Sequence, residues 1–207
     1  IMGAVTPRQL EAIGKARRAI GQALALIGDL LDLDRAESGQ LAIHSRPTNV
    51  GDLVRDAVDS YRAAAESKGL TLDMQLGPDL PRVHTDEVRV RQVLANLISN
   101  AVKYTPRGGD VTVRAELRRA GDDGTQWVVL AVRDDGPGIP ADQVARLFEE
   151  FTRFHPATAD GAGVGLAIAQ RIAEALGGAI RVETAVGRGS TFALHLPCRA
   201  PGTVQPG

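Results

Sequence analysis

Asn96 and Asn100 stand four residues apart in the stretch 87–106, EVRVRQVLANLISNAVKYTP. Read at helical period, Val88, Val93, Leu94, Leu97, Ile98, Ala101 and Val102 form an apolar face. The spacing of four sets the two amides one turn apart on the same side of that helix. Amides buried beside Leu97 and Ala101 need partners, because an unpaired buried amide is costly. Those partners are either neighbouring backbone or a polar ligand. Downstream, Asp134 ends an apolar run and opens the turn Asp134-Asp135-Gly136-Pro137-Gly138. A carboxylate there can accept a hydrogen bond from an exocyclic amine, and the glycines let backbone approach a flat ring. Gly161, Gly163 and Gly165 open a helix at Leu166, so free N–H groups and the helix dipole point at an anion. Taken singly, the three stretches also read as backbone-capping amides, an Asp-Gly turn and a surface loop. Together they supply the parts of a nucleotide pocket.

The elements that must position these residues follow from pattern. Thr6-Pro7-Arg8-Gln9 reads as a helix start, with Thr6 as cap, Pro7 at the first helical position and Gln9 closing a capping box. Ile13, Ala16, Ile20, Ala23, Leu24, Ile27, Leu30 and Leu31 then form an apolar stripe of bundle width, and Gly39 is the expected C-cap. A long amphipathic helix cannot bury such a stripe alone, so a partner helix or another subunit is expected beside it. Residues 41–49 read as a linker. A second helix is expected from Asn49 or Asp52 to about Ser67, then a strand where Leu70, Leu72, Met74 and Leu76 alternate with polar residues. After the asparagine helix, Val111, Val113, Ala115 and Leu117 alternate in a strand. Gly121-Asp122-Asp123-Gly124 makes a hairpin turn, and 126–132 returns as a near-continuous apolar strand. Residues 163–176 read as a helix, with strands at 179–184 and 190–196. Helices and strands without strict βαβ alternation predict an α+β fold. Its form would be a two-layer α/β sandwich, one mixed sheet with helices on one face, preceded by the long amphipathic helix. The tail 199–207 is expected to be disordered.

At 207 residues, 43% hydrophobic and 24% charged, the chain suits one sizeable domain plus a helical appendage. Only 3% is aromatic, so Ala, Val, Leu and Ile must fill the core. A net charge of −1 leaves no electrostatic footprint for nucleic acid or an anionic membrane. Cys198 alone excludes an internal disulfide and a cysteine-cluster metal site. A cytoplasmic location fits, including the cytoplasmic part of a membrane-anchored sensor. No apolar run reaches the roughly 18 residues that a membrane span needs. The start at Ile1-Met2, without a secretory apolar region, leads us to expect a piece of something longer.

Asn96-Leu97-Ile98-Ser99-Asn100, continuing to Lys103-Tyr104-Thr105-Pro106, resembles the asparagine box of the sensor histidine kinases' ATP-binding catalytic domain. That domain belongs to the wider GHKL group with gyrase, Hsp90 and MutL. Asp134-Asp135-Gly136-Pro137-Gly138-Ile139 is similar to its first glycine box, Leu147-Phe148-Glu149-Glu150-Phe151 to its phenylalanine box, and Gly163-Val164-Gly165-Leu166 to its second glycine box. Gly189-Ser190-Thr191-Phe192, with Leu194 and Leu196, resembles the closing strand. The resemblance covers about residues 50–197 and implies a Bergerat-type ATP-binding fold. Residues 6–40 resemble the second helix of the kinases' dimerisation hairpin, running into Leu30-Leu31-Asp32-Leu33 and Glu37-Ser38-Gly39. The implied division is hairpin helix and linker over 1–46, first helix absent, and ATP-binding domain over 47–198.

Roles are implied at the matching positions. Asn100 would ligate a Mg²⁺ that bridges the ATP phosphates, since a hard cation takes oxygen donors. Asn96 would assist one turn earlier and Lys103 would meet phosphate charge. Tyr104 would line the ribose or base wall and Asp134 would read the adenine amine, with Gly136, Gly138, Ile139 and Phe148 also at the nucleotide. Residues 152–162 would form a short lid over the triphosphate, with Arg153 near the γ-phosphate. Gly161, Gly163, Val164, Gly165 and Leu166 would complete the phosphate loop, and Thr191 would back the adenine through its hydroxyl or a water. ATP and Mg²⁺ are the implied cofactors. A response-regulator receiver domain and a second copy, through the hairpin helix, are the implied partners.

In the ATP-hydrolysing relatives a glutamate one turn before the metal asparagine activates water. Asn96 holds that position here and cannot act as a base. Phosphoryl transfer to an external histidine is therefore the expected function. A GHKL switch ATPase and a non-catalytic nucleotide-binding or dimerisation module are the alternatives. The kinases' acceptor histidine is followed by an acidic residue and a proline. None of His44, His84, His155 and His195 has that setting.

Overall fold

Helix α1 (Pro7–Glu37) begins with the expected capping box: Thr6 Oγ1 accepts the Gln9 N–H at 3.3 Å, and Gln9 Oε1 accepts the Thr6 N–H at 2.8 Å. The structure, a computed structural model, describes residues 6–120, 125–150 and 163–198. Gly39 was expected to be the cap of α1, but Ser38 takes that place and Gly39 lies one residue past it. The end closes as a Schellman motif, with the Gly39 N–H on Ala36 O at 3.2 Å and the Gln40 N–H on Arg35 O at 2.7 Å.

Residues 41–49, read above as linker, hold strand β1 (Arg46–Asn49), which pairs antiparallel with β3 (Arg82–Thr85). Four-residue strands containing or following a proline show too few alternating positions to stand out in a sequence. Asn49 then caps α2 (Val50–Lys68) by accepting the Gly51 N–H at 3.0 Å. The main sheet comprises β2 (Thr71–Leu76), β4 (Asp110–Ala120), β5 (Thr125–Asp134), β6 (Ala179–Ala185) and β7 (Gly189–Pro197). Its order is β2-β4-β5-β7-β6, with β2 parallel to β4 and the other neighbours antiparallel. Helices α3 (Glu87–Tyr104), α4 (Ala141–Val144) and α5 (Gly165–Ala175) complete the chain. The single turn of α4 was not anticipated.

One sheet face carries Val111, Val113, Leu130, Val132, Leu194 and Leu196, which bury in one core with Val54, Val58, Leu94, Ile98, Ile168 and Ile172 of the helices. This is the mixed two-layer α+β arrangement expected. The opposite face carries Arg114, Arg133 and Glu183, all exposed. On α3 one expectation is corrected: Val88 is 67% exposed, and Val90 is the buried residue of the first turn. At about 100° per residue, Val88 points away from the face shared by Val90, Leu94, Leu97 and Ala101.

The apolar stripe of α1 stays open, with Ile13, Ile20, Leu24 and Ile27 each more than half exposed. Only the C-terminal end reaches the domain. Leu33 is buried, and α1 packs against α5. Arg89 Nη1 meets Asp32 Oδ2 at 2.8 Å, and Gln92 Nε2 donates to the same oxygen at 2.9 Å. Burial pushes the Asp32 carboxyl up, but hydrogen bonds from Gln92 and Arg89 outweigh it and hold the pKa below the usual carboxylate range. A depressed carboxylate adds stability above its unfolded pKa and loses that contribution as pH falls through the folded one. Asp32→Ala should therefore lower the thermal midpoint by a few degrees at neutral pH, with the deficit shrinking in acid; thermal scans over a pH series check this.

Candidate nucleotide-binding site

Asp86 caps α3 by accepting the Val88 and Arg89 N–H groups at 3.0 and 3.2 Å, and the Thr105 hydroxyl closes it on Ala101 O at 2.7 Å. Between these ends Val90, Val93, Leu94, Leu97, Ile98, Ala101 and Val102 are buried, which fixes the rotation of the helix. Asn96, Asn100, Lys103 and Tyr104 therefore come out together on its flank, each half-buried. Lys103 Nζ lies 5.0 Å from the centroid of the Tyr104 ring, within cation–π reach.

The start of α5 abuts this flank. A Cβ on Gly165 would sit 3.0 Å from Asn96 Oδ1, so a side chain there would press on the amide. Val164, buried at the N-cap, offers no side-chain cap to the first N–H groups of α5. Gly163 precedes it at φ 76°. Leu166, Phe148 and Ile139 are half-buried and pack against the core.

Asp134 ends β5 and is 7% exposed. The Gly136 N–H donates to its Oδ1 at 2.9 Å. Gly138, at φ 68°, comes so near β6 that a Cβ would lie 1.9 Å from Ala185 O, so only glycine fits. The turn is sewn to the β6–β7 hairpin: the Gly187 N–H donates to Pro137 O at 2.8 Å and the Ile139 N–H to Thr184 Oγ1 at 3.0 Å. The Thr184 hydroxyl donates to Gly189 O at 3.1 Å and shares a 2.9 Å bond with Ser190 Oγ. The same turn adjoins the end of α3, since a Cβ on Gly136 would lie 3.4 Å from Tyr104 O.

Thr191 departs from expectation. Ser190 is the register partner of both Asp134 and Thr184, whereas Thr191 pairs with Arg133 and Glu183. Directly paired residues share a sheet face, so Thr191 lies on the open face, away from Asp134. Ser190 and Thr184 are the hydroxyls on the Asp134 face. The signal was present, because counting alternation back from Phe192 and Leu194 puts Ser190 inward. Arg153, Gly161 and the expected lid 152–162 lie outside the described residues, as do His155, the end of the phenylalanine box at Phe151, the turn 121–124 and the tail 199–207.

The site fits a nucleotide better than a free metal. Among the described residues no three His, Cys, Asp or Glu side chains gather into a metal cage. The Asn100 amide oxygen is a single neutral donor, which suits a hard ion held mainly by phosphate oxygens and water.

Burial pushes the Asp134 carboxyl above its usual range, the N–H groups of Gly136 and Ser190 pull against that, and the charge of Asp135 adds to it. A raised carboxyl favours folding below its unfolded pKa and loses that contribution as pH rises through the folded one. Unliganded Asp134→Asn should therefore melt higher than the parent at pH 7. The gain should vanish below about pH 3.9, the ordinary aspartate value, in thermal scans at both pH values.

The non-motile and phage-resistance protein of Caulobacter vibrioides is 39% identical over 179 residues, covering 85% of this chain and 21% of that protein. The adaptive-response sensory kinase SasA of Synechocystis is 38% identical over 173 residues, covering 83% of this chain and 44% of that one. The crystal structure of full-length ShkA in complex with AMPPNP matches with a TM-score of 0.80 at 32% identity, covering 96% of this chain and 40% of the other. The chain thus spans less than half the length of these relatives. Residues 85–200 match the model of the histidine kinase-, DNA gyrase B- and HSP90-like ATPases, and the chain belongs to that family.

Proposed function

We propose that this chain is the ATP-binding core of a sensor histidine kinase, which passes the γ-phosphoryl group of ATP to a histidine on another helix for relay to a response-regulator aspartate. The observation that carries this reading is the contact of Asn96 with Gly165, which joins the asparagine helix to the glycine loop. Asp134, buried beside the end of α3, accepts a hydrogen bond from the exocyclic amine of adenine, with Ser190 and Thr184 behind it in place of Thr191. Asn100 offers its amide oxygen to Mg²⁺, Asn96 assists, and Lys103 and Arg153 face phosphate charge. Magnesium, when bound with ATP, neutralises charge on the phosphates.

Asn96 is a neutral amide where hydrolysis would need a base. The pocket therefore positions ATP for an acceptor and leaves water unactivated. Helix α1 contains no histidine, so the acceptor lies elsewhere. Its exposed stripe supports a homodimer through the hairpin helix, because so long an apolar face costs free energy in water. No helix among the described residues is long and apolar enough to cross a membrane.

Asn100→Ala should weaken Mg-ATP binding by about 100-fold in calorimetric titration with the thermal midpoint little changed; unchanged affinity would remove Asn100 from the metal site. The unmodified protein should prefer ATP to GTP, and equal affinities would refute the role given to Asp134. Incubated with Mg-ATP, it should hold ATP without steady ADP release. Continuous release without a gain in protein mass would favour the switch ATPase.

A further inference from the structure

Two polar side chains of α2 grip α3 by its main-chain carbonyls. Tyr61 Oη donates to Ala95 O at 3.1 Å. Lys68, seven residues on and so on the same face of α2, donates from Nζ to Val102 O at 2.7 Å and to Lys103 O at 2.6 Å. The first carbonyl precedes Asn96, and the other two lie in the last turn, between Asn100 and Tyr104. The ends of the two helices are stitched at the same place, with the Gly108 N–H on Gly69 O and the Thr71 N–H on Gly109 O, both at 3.0 Å.

The last carbonyls of a helix carry the negative end of its dipole. A polyphosphate brought to Lys103 would meet that negative end. Lys68 sets a cation on those two carbonyls and fixes their position together. Burial lowers the pKa of the ammonium, the direction expected for a cation drawn out of water.

We propose that Lys68, helped by Tyr61, is a positioning residue for the metal and phosphate end of the nucleotide. It holds the turn that presents Asn100 and Lys103 and offsets the carbonyl charge behind them. The inference rests on the nucleotide reading above. It predicts selectivity: the triphosphate end depends on Lys68, whereas adenosine, recognised through Asp134, does not.

The test titrates the full chain with Mg-ATP and separately with adenosine, for the parent, Lys68→Met and Lys68→Arg. Lys68→Met, which keeps the apolar stem, should weaken Mg-ATP about tenfold and leave adenosine within about twofold, and Lys68→Arg should restore most of the loss. Unchanged Mg-ATP affinity in Lys68→Met, or an equal loss for both ligands, overturns the proposal. Should Lys68→Met fail to fold, Tyr61→Phe tests the same claim by removing one hydroxyl. It should weaken Mg-ATP alone, by about threefold, and no change overturns the proposal. A parent protein that does not bind Mg-ATP would defeat the functional reading itself, before any variant is compared.

Discussion

How near α3 can come to the start of α5 governs the nucleotide end of this molecule. The two helices share the core through Leu94, Leu97, Ile98, Ile168 and Ile172, and burial of those side chains drives them together. At the start of α5, a Cβ on Gly165 would lie 3.0 Å from the Asn96 amide oxygen. Any larger residue there would hold the start of α5 away from Asn96. The hydrophobic core thus fixes the spacing of polar groups that do not themselves hold the fold together.

The far wall is built on a different principle. Asp134 is buried with little to neutralise it except two backbone N–H groups, an arrangement that costs stability when no ligand is present. What keeps it in place is the hydrogen-bonded hairpin behind it, in which Thr184 ties the glycine turn to Gly189 and Ser190. A group held at such cost is available for recognition, because a donor from a ligand relieves it. On the proposed role of Asp134, the stability of the empty protein and recognition of a ligand amine would pull in opposite directions at one carboxylate.

Helix α1 joins the domain against α5 and α3 and leaves an apolar stripe exposed. Leu33 and the Asp32–Arg89–Gln92 cluster anchor its last turns, while the apolar stripe before them faces solvent. The anchor on α3 includes Gln92, one turn before Asn96. Polar pairs of this kind fix a relative position without the broad burial that would make it permanent.

Local features were legible because neighbouring residues write them. The capping box at Thr6 and Gln9, the asparagine helix with its paired amides, the alternating strands and the glycine turn after Asp134 all depend on spacing within a few residues. Those spacings were enough for an α+β domain, and the resemblance of its motifs added the expectation of an ATP site. The short strand β1 was missed because it has meaning only through its pairing with β3. Thr191 was implied by the motif resemblance, whereas the alternation with Phe192 and Leu194 puts Ser190 on the Asp134 face. Other facts were decided only by tertiary structure: that the glycine at 165 leaves room for Asn96, that Asp32 finds Arg89, and that Lys68 reaches across to the carbonyls of Val102 and Lys103. Each joins residues far apart in the chain, and which distant groups meet is set by how the whole core packs, a property that no short stretch contains.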